Sequence, residues 1–231
     1  KVGLPSGFHL LVEVGAFVVA ALMIGTLGAG PLAAHQIAIT CAAVVFMVPF
    51  GLGMALTVRI GEAWGAGRRR EMRTIAVVGW GMVCAFTVGS ATVFAGFHHA
   101  IAALFTDAPE VVSLAGSLLL IGALFQLSDA LQITSASLLR GMDDVNVPAV
   151  MAFTAYWVIA LPIGGGLAFG ADWGAYGIWW GLVAGLTTAA ATLTWRTVRR
   201  TANPRTEPGD NNAIDDDRRT ANASPTREAP G

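Results

Sequence analysis

The stretch SLAGSLLLIGALFQLSDALQITSASL, residues 113–138, holds one ionisable group, Asp129, in an otherwise apolar and small-residue run. About 20 such residues, at 1.5 Å of rise each, cross a bilayer core about 30 Å thick. The stretch is therefore long enough to span a membrane as a helix. Insertion scales assign about 2.5–3.5 kcal/mol to an aspartate at mid-helix, so Asp129 has to face a polar interior rather than lipid.

Working outward, windows of the same kind predict six spans, over 8–28, 34–58, 74–96, 113–138, 147–169 and 175–196. Between them lie Gly28-Ala29-Gly30-Pro31, Gly65-Ala66-Gly67-Arg68, Thr106-Asp107-Ala108-Pro109, Gly141-Met142-Asp143-Asp144 and Gly170-Ala171-Asp172. Each break joins turn formers to polar residues. No window alternates as a membrane strand does, which disfavours a barrel. The fold class expected is an all-α polytopic membrane protein.

The composition agrees. Of 231 residues, 55% are hydrophobic and 13% charged, and the mean hydropathy is +0.62. A soluble domain carries about 25% charge, and nearly half of the charge here falls from Arg196 onward. A soluble enzyme is thereby disfavoured. The basic residues stand in short clusters between apolar runs, with a net charge of −1, which gives no surface for nucleic acid. From about Thr201 the chain turns to Asn, Asp, Arg, Pro, Thr and Glu, so residues 201–231 read as a disordered tail. Cys41 and Cys84 lie inside apolar runs and read as small packed residues, not as a disulfide or a metal site. The start, Lys1-Val2-Gly3-Leu4-Pro5, has no initiator Met and no signal-peptide pattern, which raises the expectation of a chain cut from a longer product.

Orientation follows from arginine and lysine. One set of connections holds Lys1, Arg59, Arg68, Arg69, Arg70, Arg73, Arg140, Arg196, Arg199 and Arg200; the other set holds His98, His99, Asp107, Glu110 and Asp172. The positive-inside rule places both termini in the cytoplasm of an inner-membrane protein. The alternation is regular across six spans and supports that number.

Only Glu13, in the first span, and Asp129, in the fourth, are ionisable groups deep within a span. With no lysine or arginine at that depth, a proton or a metal cation is the natural compensator. Gln126, Asp129 and Gln132 recur every three residues with Ser128 and Ser135 beside them, and His9 stands one turn before Glu13. These make His9, Gln126 and Gln132 cavity-lining candidates. The alternative is that such groups only bond helices together.

Weaker signals remain. Pro49 with Gly51 and Gly53 should bend the second span, and Pro162 before Gly164-Gly165-Gly166 should break the fifth. Gly177, Gly181 and Gly185 argue for close helix packing. Trp157, Trp173, Trp179 and Trp180 read as interfacial anchors. His98-His99 lacks companions at metal-ligand spacing and reads as a wet loop. No G-x-S-x-G, H-E-x-x-H or G-x-x-x-x-G-K-[ST] is present, so an enzyme is not expected.

Several motifs in order resemble those of multidrug and toxic compound extrusion (MATE) transporters. Pro5-Ser6-Gly7 followed by Glu13 is similar to the start of that family's seventh helix. Leu32-Ala33-Ala34-His35-Gln36-Ile37, Phe46-Met47-Val48-Pro49-Phe50-Gly51 and Val58-Arg59-Ile60-Gly61 resemble its eighth. Ser128-Asp129-Ala130-Leu131-Gln132 with Leu139-Arg140-Gly141 resembles its tenth helix and the loop after it, and Gly177-Ile178-Trp179-Trp180-Gly181 its last. The resemblance covers about residues 4–197. It implies the carboxyl-terminal, six-helix lobe of a twelve-helix antiporter that exports organic cations and other drug-like compounds in exchange for sodium ions or protons.

The resemblance gives Glu13 and Asp129 as the cation- or proton-coupling carboxylates, sodium being the metal they would hold, and no cofactor beyond the coupling ion. One departure is Phe125, where some members carry a tyrosine one turn before the aspartate. A phenyl ring offers no oxygen, so the position weakens a sodium assignment and leaves the proton open. The missing amino-terminal lobe, or a second copy, is implied as the partner that completes the cavity. The rival readings are a flippase for lipid-linked precursors and a non-transporting membrane scaffold subunit.

Overall fold

The computed structural model describes residues 3–202, with backbone alone for 3–6 and 8–10. The tail beyond Ala202 and the side chain of His9 lie outside the described residues. Within them the chain forms six helical rods. The first is Gly3–Gly25, the second Ala29–Gly65, the third Arg69–Ala103 and the fourth Pro109–Gly141. The fifth is a composite rod over Asn146–Gly170, and the sixth is Gly174–Ala202. The second to fifth rods are each long and apolar enough to cross a membrane, and the first adds the apolar stretch Leu11–Gly25. The sixth carries many threonines and ends on Arg199 and Arg200.

Rods end where the sequence offers turn chemistry. Gly67 sits at φ +66 and Arg68 N–H donates to the Ala63 carbonyl over 2.9 Å, a bond that closes the second rod. Asp143 and Asp172 take φ 57, a left-handed geometry that aspartate tolerates better than most residues. After Asp143, Asp144 N–H donates back to the Leu139 carbonyl over 2.9 Å and closes the fourth rod in the same way.

The fourth rod is the centre of the bundle. It packs on the second, third and sixth, while the first leans mainly on the fifth. In lipid, apolar surface alone does not drive helices together; close van der Waals packing and polar contacts do. Small residues accordingly line the seams. A Cβ on Gly177 would meet backbone atoms of Ala168 and Leu167, and one on Gly185 would meet Ala160 and the Ala155 carbonyl. Large apolar side chains such as Leu22, Val44, Met54, Val77, Phe97 and Leu124 point outward, as they should in lipid.

Two expectations need correction. Pro162 does not break the fifth rod. Its ring would crowd the Val158 carbonyl, and the backbone answers with wider π turns over Thr154–Ala160 and Gly166–Gly170. Leu161 N–H donates to the Tyr156 carbonyl and Ala171 N–H to the Gly166 carbonyl, each five residues back. Trp179 is not an interfacial anchor. It is fully buried, and its Nε1 donates to His35 Nδ1 over 3.2 Å, tying the sixth rod to the second. The second rod runs unbroken through Pro49.

The alternation of ends is visible in contacts. Asp144, after the fourth rod, takes bonds from Arg196 Nε (2.8 Å), Arg196 Nη2 (3.0 Å) and Arg200 Nε (3.0 Å) at the end of the sixth. At the opposite end Leu27, Pro31, Leu114, Asp172 and Trp173 share one crevice.

Candidate functional site

Glu13 lies midway along the first rod and Asp129 midway along the fourth; each is 8% exposed. Both line one cleft of about 550 Å³ between the first, second and fourth rods. Its walls are Val14 and Phe17 from the first, Ile39, Ala42, Ala43, Phe46 and Phe50 from the second, and Phe125 and Ile133 from the fourth. The cleft is therefore an apolar, aromatic chamber with two acids in it. Such a chamber suits a flat organic molecule, and a cationic one in particular, because ring faces and carboxylates both attract positive charge.

Arg140 also lines the cleft. It stands eleven residues beyond Asp129, about 16 Å along the helix axis. The sequence placed no basic residue with the two acids; the structure brings Arg140, from the arginine-rich end, into the same cleft as both.

Glu13 has a specific partner. The Tyr156 hydroxyl, fully buried, donates within 2.7 Å of Gln132 Oε1 and lies 3.3 Å from Glu13 Oε1. Gln132 Nε2 has no partner among the described residues. Tyr156 belongs to the first π turn, as does its neighbour Trp157, whose Nε1 donates to the Val12 carbonyl over 3.1 Å. Two successive residues of the fifth rod thus hold two successive residues of the first.

The polar stripe of the fourth rod divides. Three-residue steps drift round a helix of 3.6 residues per turn, so Gln126 and Gln132 lie on different flanks of Asp129. Gln126 faces the third rod, where Ser90 donates to its Oε1, and it does not line the cleft. Gln132 faces Tyr156 and, like Gln126, is buried off the cleft wall, so neither glutamine is the cavity-lining residue the spacing suggested. Ser128 pairs with Thr187 and Ser135 with Thr194 and Trp80, so these hydroxyls bond helices together. Phe125 lines the cleft edge-on to Phe17, centroids 6.0 Å apart. Among the described residues no three His, Cys, Asp or Glu gather as a metal cluster. The rings of His98 and His99 are 4.4 Å apart.

The MatE family profile matches residues 5–164. The chain belongs to the MatE family. It is 44% identical over 196 residues to the probable multidrug resistance protein NorM of Xylella fastidiosa, covering 85% of this chain and 42% of that protein. It is also 44% identical over 203 residues to the multidrug resistance protein PmpM of Pseudomonas aeruginosa, covering 86% and 42%. This MatE chain thus spans about two fifths of the length of the relatives it matches. Among solved structures it superposes on a MATE transporter in the bent conformation with a TM-score of 0.81 at 18% identity, covering 87% of this chain and 44% of that one. A eukaryotic MATE transporter gives 0.78 at 22% identity, covering 87% and 47%. The likeness carries the fold: the six rods correspond to part of a larger MATE bundle.

Two buried polar groups escaped the sequence reading, Tyr156 beside Glu13 and Asp144 at the end of the fourth rod. Tyr156 sits in an apolar, aromatic run and drew no reading of its own. Asp144 was read only as part of a turn between spans, but its side chain is 4% exposed and clasped by two arginines.

Proposed function

We propose that this chain is the carboxyl-terminal lobe of a secondary active multidrug exporter, in which Glu13 and Asp129 bind the coupling sodium ion or proton. The observation that carries the reading is the shared cleft: two buried acids from different rods, outnumbering the one arginine that shares it, walled by Phe17, Phe46, Phe50 and Phe125. Relatives named as multidrug resistance proteins support drug-like compounds as the cargo. Neutralising the acids favours one packing of the lobe, and drug binding favours the other. Exchange requires that difference in affinity between states. The arginine bias supports an inner-membrane setting with both ends of the lobe cytoplasmic. Another lobe, or a second copy, completes the chamber.

A flippase for anionic lipid-linked precursors calls for a strongly basic chamber, and one arginine against two acids does not supply it. A scaffold subunit gives no reason for acids in a drug-sized cleft.

The test is ethidium efflux from cells expressing the complete transporter. Glu13→Gln and Asp129→Asn each abolish ion-driven efflux while membrane insertion is retained. Wild-type rates in both variants would dispose of the assignment.

A further inference from the structure

The Tyr156 hydroxyl carries one proton and stands between two acceptors, Gln132 Oε1 at 2.7 Å and Glu13 Oε1 at 3.3 Å. It can donate to only one of them at a time. Gln132 is fully buried, and its Nε2 has no partner among the described residues. An amide can present either end to the same neighbour. When its oxygen faces Tyr156 the hydroxyl donates to Gln132 and leaves its own oxygen free to accept from a protonated Glu13. When its nitrogen faces Tyr156 the amide donates to the hydroxyl, which is then free to donate to an ionised Glu13. Both arrangements are self-consistent, and they differ in the charge of Glu13.

We infer that Tyr156 is the positioning residue of Glu13, its hydroxyl turning between Glu13 and the Gln132 amide as Glu13 changes charge. The inference rests on the reading of Glu13 as a coupling carboxylate. The π turn is what makes the contact: it widens the fifth rod at Thr154–Ala160 and aims both Tyr156 and Trp157 at the first. The remaining charged groups of the cleft, Asp129 and Arg140, both come from the fourth rod, and the second rod presents only apolar side chains. Tyr156 does not itself line the cleft, so it acts on Glu13 and not on the cargo.

Infrared spectra of the complete transporter in lipid nanodiscs test this directly. The carboxylic C=O band of Glu13 is identified by its loss in Glu13→Gln. In Tyr156→Phe, which keeps the ring, that band moves to higher wavenumber because the carboxyl has lost a hydrogen-bond partner. In Gln132→Met, which keeps length but not the amide, it moves to lower wavenumber because the hydroxyl is left with Glu13 alone. In parallel, Tyr156→Phe lowers kcat for ethidium efflux by about tenfold or more, the effect of losing a bond to a charged group, while KM for ethidium stays the same. A band that stays in place in both variants, or a KM that rises with kcat unchanged, overturns the inference. If Glu13→Gln retains full efflux while the bands move as stated, the efflux reading falls and the positioning role stands.

Discussion

Replacing Gly181 with alanine measures how closely the fifth and sixth rods are joined. The added Cβ would meet the Cα and N of Gly164 well inside contact distance and lie 2.5 Å from the Ala160 carbonyl oxygen. These are backbone atoms, so no side chain can swing aside. Comfortable carbon contacts need about 3.5 Å, and the two rods have to part by about 1 Å along this seam. A gap of that size forfeits a quarter to a half of each contact's attraction. Overpacking of this kind costs about 1–3 kcal/mol in a well-packed core, and with rigid backbone on both sides the upper end applies, about 3 kcal/mol. Gly81→Ala is the matched control, since a Cβ there meets nothing within 4 Å. It should be neutral or slightly stabilising, as alanine is the better helix former by about 1 kcal/mol. Thermal unfolding of both variants in the same detergent, read by tryptophan fluorescence, supplies the comparison. A Gly181→Ala protein that melts with the control refutes the packing described for this seam.

Asp144→Asn removes the charge that receives three bonds from Arg196 and Arg200. Breaking a fully buried pair costs about 3–5 kcal/mol, but these arginines are 22% and 30% exposed, so about 2 kcal/mol is expected in the same melt. Trp179→Phe keeps one aromatic ring but deletes the bond to His35 and part of a fully buried indole, at about 2–3 kcal/mol and with efflux unchanged. For orientation, Gly67→Cys and Asp107→Cys in a background without Cys41 and Cys84 should label from opposite sides with an impermeant thiol reagent, Gly67→Cys only after the cytoplasmic face is opened. Labelling of both from one side contradicts the positive-inside assignment.

Much of the architecture was legible because an apolar run of about 20 residues has few alternatives to a spanning helix, and because Gly67, Asp143 and Asp172 mark where such runs turn. Glu13 and Asp129 were legible for the same reason, an acid being conspicuous among apolar neighbours. Tyr156 was not: its partners are 143 and 24 residues away in sequence, and nothing local distinguishes a tyrosine bound for the interior from one at the membrane surface. Trp179 misled in the opposite direction, an aromatic near a rod's end that turns inward to His35. Gln126 shared a spacing with Asp129 but not a face, since period-three reasoning ignores helical drift. The response of the fifth rod to Pro162 depended on a π turn, which has no reliable residue pattern of its own.

The absence of methyl-sized space between the fifth and sixth rods has a mechanical consequence. Two cylinders whose backbones touch at Gly164 and Gly181, with further close approach at Gly177 and Gly185, translate and tilt as a single keel. The rod bearing Glu13 leans mainly on this keel and is moored to it by a tyrosine hydroxyl and a tryptophan N–H, so one wall of the acid-lined chamber is fastened to the stiffest pair in the lobe.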